Sequence, residues 1–200
     1  MRKISHEYNM QKSIKSKLLT MFHNSKVFSF FLFASIVISA CTGQPSGTKV
    51  VSTFELDRYL GTWYEIARLD HRFERGLTDV TANYSLQDDG GVRVVNRGFS
   101  SEITEWDEAI GKAYLVDSPD VGRLKVSFFG PFYGGYNILE LDLDNYQYAL
   151  VAGPNRSYLW ILARSPNLSE TIVQSLVEKA KRLNFPVDEL IYVSHDTVRD

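Results

Sequence analysis

The residue best placed for covalent chemistry is Cys41, the only cysteine in the 200-residue chain. It closes the small-residue run Ile38-Ser39-Ala40-Cys41. With no second thiol there is no intrachain disulfide, so the core must hold by packing. Beyond it the chain carries two histidines, His71 and His195, and nothing in the sequence ties them to one site. Strand alternation turns Glu65 and Glu140 inward, where a buried carboxyl would have a raised pKa; a structural role is the plainer reading. No Gly-x-Ser-x-Gly elbow is present, and no Cys/His group has zinc-ligand spacing. These residues predict no catalytic group, no metal and no cofactor.

Val27 to Ala40 is an uncharged, mostly apolar run of about fourteen residues. A bilayer-spanning helix needs about 20, whereas a secretory signal needs this length behind a basic start. Arg2, Lys3, Lys12, Lys15, Lys17 and Lys26 supply the basic start, and Met10 and Met21 offer alternative starts. The run ending in Cys41 resembles the lipobox of bacterial lipoproteins. That resemblance implies diacylglycerol on the Cys41 thiol, cleavage before it, and acylation of the new amino end. A cysteine after an ordinary secretory signal is the alternative. The expected organisation is residues 1–40 as lipoprotein signal peptide, 41–52 as a flexible lipidated tether and 53–200 as one domain. Thr42 stands where an Asp would resemble an inner-membrane retention signal, which favours the outer membrane, periplasmic face. The leading segment takes six of the 22 Lys/Arg and one of the 24 Asp/Glu. The remainder is acidic, near −7, which argues against nucleic acid as a partner.

After the tether, strand-like runs alternate with turn signals: Trp63–Leu69, Val80–Leu86, Val92–Phe99, Glu108–Val116, Leu124–Phe129, Tyr136–Leu143, Tyr148–Ala152 and Tyr158–Arg164. Asp88-Asp89-Gly90-Gly91 is a hairpin turn. Ile172, Val173, Leu176, Ala180 and Leu183 recur at helical spacing after Ser169 as N-cap, and Leu190–Ser194 is a ninth strand. The fold class expected is all-β: an eight-stranded antiparallel up-and-down β-barrel, one C-terminal helix packed outside and a short ninth strand. Such a barrel is wide enough to hold one small ligand.

Three motifs carry a family resemblance. Tyr59-Leu60-Gly61-Thr62-Trp63-Tyr64-Glu65-Ile66 resembles the Gly-x-Trp motif that opens the first lipocalin strand. Tyr148-Ala149-Leu150-Val151 and Trp160-Ile161-Leu162-Ala163-Arg164 resemble the second and third motifs. The stretches 64–76 and 126–137 resemble the bacterial branch. The likeness spans about residues 53–195. It implies that Trp63 plugs the closed barrel end beneath Arg164. It also implies a protein that binds a fatty acid such as palmitate, or a lysophospholipid, to store or transport it for maintenance of the cell envelope, including under stress. A lipocalin-fold enzyme acting on a lipid or small apolar substrate is the alternative, and a structural envelope protein without ligand is a third.

Alternation from Trp63 turns Glu65 and Ala67 inward. The same rule, with the family register, places Ala82, Tyr84 and Leu86 inside, then Val94 and Asn96, then Ala109 and Ala113. It adds Leu124, Val126 and Phe128, then Tyr136 and Ile138, then Ala149 and Val151, and Tyr158, Trp160 and Leu162. The ligand contacts expected are Ala67, Ala82, Tyr84, Val94, Asn96, Ala113, Val126, Phe128, Tyr136, Ile138 and Trp160. Phe73, Arg72 and Arg75 from the loop after strand one join them at the mouth, where an arginine would pair with a headgroup. The aromatic run Phe128 to Tyr136 would meet the acyl chain, touch a bilayer, or join two copies in a homodimer.

Overall fold

The computed structural model describes residues 42–196. Eight strands run β1 (Gly61–Leu69), β2 (Leu77–Leu86), β3 (Val92–Ser100), β4 (Glu105–Leu115), β5 (Arg123–Phe129), β6 (Phe132–Leu141), β7 (Tyr148–Ala152) and β8 (Leu159–Ala163). Each pairs antiparallel with the next, and β1 pairs with both β8 and β2, which closes the barrel. The expected barrel is therefore observed. Alternation builds it: in β3, Val92 and Val94 are buried while Arg93 and Arg97 face outward. The Asp88–Gly91 turn joins β2 to β3, with Gly90 at φ +78°, a left-handed conformation that costs glycine little.

The ninth strand, β9 (Leu190–Tyr192), uses an edge that β2 vacates. β1 pairs with β2 over Gly61–Tyr64 and with β9 over Ala67–Leu69. A bulge in β2 between Thr78 and Thr81 accompanies this divergence, and the Asp79 amide donates to the Ser194 carbonyl at 2.8 Å.

Two apolar clusters lie on opposite faces of the sheet. The inner one includes Trp63, Tyr84, Val94, Ala113, Ile138, Val151 and Leu162. The outer one joins Ile66, Leu69, Leu139, Leu150 and Ile161 to a helix. That helix, α2 (Glu170–Arg182), buries Leu176 and Ala180; it starts with Glu170 and ends with Lys179, Lys181 and Arg182, charges that suit its dipole. Ser169 is the N-cap residue, but its side chain makes no cap hydrogen bond. A one-turn helix absent from the sequence reading, α1 (Leu56–Tyr59), precedes β1.

The segment expected to be a flexible tether is instead strapped to the barrel wall. Arg123 donates to the Thr42 carbonyl (3.2 Å), Asn137 to that of Gly43 (3.1 Å) and Arg156 to that of Ser46 (2.7 Å). Val51 exchanges backbone hydrogen bonds with Ile138 and Gly122. Its small polar composition gave no warning, because the partners lie on β5, β6 and the β7–β8 loop. Cys41 and residues 1–40 lie outside the described residues.

Candidate functional site

One end of the barrel is sealed from β1. Trp63 is fully buried. Its indole Nε1 donates to the Tyr59 carbonyl at 2.8 Å, and the Tyr59 ring sits 4.6 Å away. The Arg164 guanidinium lies 4.0 Å over the Trp63 ring and donates to the carbonyls of Arg58 (2.7 Å), Thr62 (2.9 Å) and Tyr146 (3.3 Å). One cation thus covers the indole and satisfies three backbone acceptors, one each from α1, β1 and the β6–β7 loop. Gly61 has φ +92°, and a Cβ there would stand 3.3 Å from Arg164 Nη1. Backbone conformation and crowding by Arg164 both account for glycine in the Gly-x-Trp motif.

Above this seal lies a cavity of about 90 Å³. It is narrow beside the roughly 300–1,000 Å³ of an ordinary small-molecule pocket. Its wall is mainly apolar, with Val92, Val94, Ala113, Leu124, Val126 and Phe128 among its residues. Three phenols stand in it as a chain: the Tyr136 hydroxyl is 2.7 Å from that of Tyr59 and 3.0 Å from that of Tyr84. Burial raises the pKa of all three well above the ordinary tyrosine value, so they remain neutral donors and acceptors.

Nearer the open end, four ionisable side chains are buried together: Glu65, Arg68, His71 and Glu74. Arg68 donates to Glu65 Oε1 at 2.6 Å and to the Glu74 and Leu77 carbonyls at 2.7 and 3.2 Å. Trp160 Nε1 donates to Glu74 Oε2 at 3.1 Å, and Asn96 Nδ2 reaches Glu74 Oε1 at 3.5 Å. His71 Nε2 lies 3.0 Å from Glu74 Oε2, too poorly aligned to count as a hydrogen bond. Burial, and then the Glu74 charge, drive the Glu65 pKa well above the carboxylate range despite Arg68. Burial would raise Glu74 too, but His71 and hydrogen bonds from Glu65 and Trp160 outweigh it and hold Glu74 below its ordinary value. The two carboxyls are thus pushed in opposite directions, Glu65 towards holding a proton and Glu74 towards releasing one.

Of the expected contacts, Ala82, Tyr84, Val94, Asn96, Ala113, Val126, Phe128, Tyr136 and Trp160 line this cavity. Ile138 packs in the inner cluster without reaching it. Ala67 does not face inward. A bulge in β1 between Glu65 and Ala67 inserts one residue and reverses the alternation, so Ala67 joins the helix-side cluster and Arg68 turns in. Phe73 is 55 % exposed, and Arg75 is held at the surface by Asp70 at 2.7 Å; neither reaches the cavity. Arg72 sits over the Phe73 ring. Leu86, at the end of β2, and Ala109, opposite Asn96 on β4, are also exposed, and neither lines the cavity. Glu74 is the cavity residue that sequence reasoning missed in the loop; it stands three positions from His71, but no pattern marks it as buried.

The structure is thus a closed antiparallel barrel, sealed at one end around a mainly apolar cavity. The chain belongs to the lipocalins: residues 54–195 match the Lipocalin-like domain. It is 53 % identical to Outer membrane lipoprotein Blc of Vibrio cholerae over 82 % of this chain and 96 % of that protein. Identity to the Escherichia coli K12 protein of the same name is 52 %, covering 80 % and 91 %. Temperature-induced lipocalin-1 of Arabidopsis thaliana is 38 % identical over 71 % of this chain and 80 % of its own. The fold is shared with insecticyanin of the tobacco hornworm Manduca sexta, at a TM-score of 0.61 and 20 % identity, covering 76 % and 87 %.

Removing the seal should cost stability. Trp63→Ala deletes a fully buried indole, and the loss expected is about 3–5 kcal/mol. Arg164→Leu keeps the bulk over the ring but strands carbonyls, and should cost less, about 1–3 kcal/mol. Urea denaturation of both variants checks the order; a Trp63→Ala midpoint equal to wild type would contradict it.

The upward push on the Glu65 pKa sets a pH dependence. Above the ordinary carboxylate range the unfolded chain has released the Glu65 proton while the folded chain still holds it, so this group makes stability fall as pH rises. Glu65→Gln fixes a neutral donor in its place. Between about pH 5 and 8 the variant should lose less stability than wild type, measured as urea midpoints across that range.

Proposed function

We propose that this protein is an outer-membrane-anchored carrier that takes the acyl chain of a fatty acid or lysophospholipid into its barrel, to store or transfer it within the cell envelope. The observation carrying the reading is the cavity itself, walled mainly by apolar side chains inside a closed barrel. Ala82 and Ala113 keep it open where larger side chains would close it. The polar groups at one end, Glu74, Asn96 and Trp160, suit a ligand with one polar terminus. The relatives named Outer membrane lipoprotein Blc support the location. The Cys41 motif supports a thioether-linked lipid as the anchor, with the periplasmic face as its side. Nothing in the cavity arranges a nucleophile beside a base, so binding rather than turnover is the function the geometry favours.

Trp160 lines the cavity, Trp63 is sealed beneath it, and Trp106 lies on β4 stacked under Arg97 at 3.9 Å. Titration with a long-chain fatty acid or lysophospholipid should therefore change Trp160 fluorescence saturably, near one ligand per barrel, and the change should vanish in Trp160→Phe. Ala113→Trp should fill the cavity and abolish binding while the fold survives, at about 1–3 kcal/mol of overpacking. Affinity should grow with chain length, by about 0.8 kcal/mol per methylene buried. Binding that survives the Ala113→Trp block would place the lipid outside the barrel.

The anchor is tested separately. Cys41→Ser should abolish incorporation of a palmitate analogue and release the protein from membranes. Label retained in Cys41→Ser would sink the lipoprotein reading.

A further inference from the structure

The phenols that end the cavity at the seal leave one proton without a partner. Tyr59 comes from α1, its ring 4.6 Å from Trp63 and 5.6 Å from Tyr84. Tyr84 stands opposite Gly61 of the Gly-x-Trp motif, and Tyr136 opposite Leu124. The polar groups of the upper cavity lie at another level. Asn96 pairs with Ala82, two residues along β2 from Tyr84, or about 7 Å. The cavity thus has two polar stations: Glu74 with Asn96 and Trp160 towards the open end, and the phenols at the bottom.

At the lower station donors outnumber acceptors. Tyr136 meets Tyr59 at 2.7 Å and Tyr84 at 3.0 Å, two contacts in all. Three neutral phenols carry three protons. Whichever way the chain runs, two protons fill the two contacts and the third O–H is left over. Among the described residues no other hydrogen bond reaches these hydroxyls. Leu56, Val92 and Leu124 line the cavity with them and offer no side-chain acceptor. Arg164, the cation at the seal, is a donor engaged on the carbonyls of Arg58, Thr62 and Tyr146. A buried donor left unpaired is costly, so the station calls for an acceptor that the chain does not supply.

The chemistry of that acceptor follows from the count. A ligand hydroxyl would accept the spare proton but bring another of its own, unless it closed the chain into a ring. A carboxylate accepts without donating, yet one hydrogen bond does not offset the burial of its charge. A carbonyl oxygen accepts, donates nothing and is neutral.

We infer that the phenol chain of Tyr59, Tyr136 and Tyr84 is a second ligand subsite that takes a carbonyl oxygen, so that the barrel selects acyl chains bearing a keto group near the end remote from the carboxyl or headgroup. This rests on the carrier reading above and narrows its ligand class.

Calorimetric titration of the full-length protein in phosphatidylethanolamine vesicles tests it, with palmitate, (ω−1)-oxopalmitate and ω-hydroxypalmitate as ligands. The comparison protein combines Tyr59→Phe, Tyr84→Phe and Tyr136→Phe, which keeps the rings and removes every phenolic proton. Replacing Tyr59 or Tyr84 alone only shortens the chain and leaves one proton spare. The quantity read is the affinity of the oxo acid relative to palmitate in each protein. Partitioning of each ligand into the vesicle is common to both proteins and cancels. The oxo preference should fall roughly tenfold or more in the triple variant, and the ω-hydroxy preference by less. An unchanged oxo preference overturns the subsite, as it would if water alone served the phenols. A larger fall for the ω-hydroxy acid overturns the carbonyl assignment. Loss of palmitate affinity with the oxo preference intact puts the carboxyl end at the phenols and overturns it too. Wild type alone gives a second reading. With an isotope label on the keto carbon, the infrared carbonyl band of the bound oxo acid should lie below its position in hydrocarbon solvent, and a band at the hydrocarbon position overturns the hydrogen bond. Palmitate that fails to bind wild type removes the carrier reading and the subsite together, whereas palmitate binding without the oxo dependence leaves the carrier standing.

Discussion

The bulge in β1 between Glu65 and Ala67 is the constraint on which the rest of the site depends. A strand alternates its faces strictly, so one inserted residue exchanges inside for outside from that point on. Before the bulge, Trp63 and Glu65 face the interior. After it, Ile66, Ala67 and Leu69 face the helix α2, and Arg68 is driven into the barrel at 1 % exposure. A buried guanidinium cannot stand unpaired. It recruits the Glu65 carboxyl and the carbonyls of Glu74 and Leu77, and in doing so pins the β1–β2 loop across one side of the open end. Glu74, drawn in with that loop, then meets Trp160, Asn96 and His71. The polar part of the cavity thus follows from a single change of backbone register.

The same closure principle works unevenly around the barrel. β6, β7, β8 and β1 are covered on both faces, by the inner cluster and by α2, and β7 and β8 read as continuous apolar runs. β4 is covered on one face only, and Ile110 on its outer side is 55 % exposed. Lys179 of α2 pairs with Glu140 of β6 at the margin of the covered face. This division lets the covered half act as a rigid wall, while β4 and its neighbours border solvent. It also explains why so small a helical content suffices: one amphipathic helix covers the part of the sheet whose outward residues are apolar.

What the sequence displayed and what it concealed divide along the same line. Alternation found much of the interior of β2 through β8, since Ala82, Tyr84, Val94, Ala113, Val126, Phe128 and Trp160 fall on the cavity wall where a period of two places them, but it misplaced Glu140, which a register shift after Ile138 turns outward to Lys179. Turn chemistry found the Asp88–Gly91 hairpin, and a helical period found α2 to within a residue or two. The errors all involve the tertiary partner overriding a local pattern. Ala67 was misplaced because a bulge leaves no mark in residue types. Arg75 and Phe73 were expected at the ligand because the loop is near the mouth, but Asp70 and Arg72 hold them outside. The strap over 42–51 was read as flexible because its hydrogen-bond partners, Arg123, Asn137 and Arg156, lie more than eighty positions away.

Asn137 shows how few residues settle the geometry of the whole. It is fully buried, and its Nδ2 reaches the carbonyls of Gly43, Ala152 and Gly153 at 3.1, 3.4 and 2.9 Å. It therefore ties β6, the end of β7 and the strap at one point. Gly135, two positions earlier, must lack a side chain, because a Cβ there would stand 2.3 Å from the Gly43 carbonyl. An amide that holds the strap and a glycine that admits it give the strap one seat on the barrel.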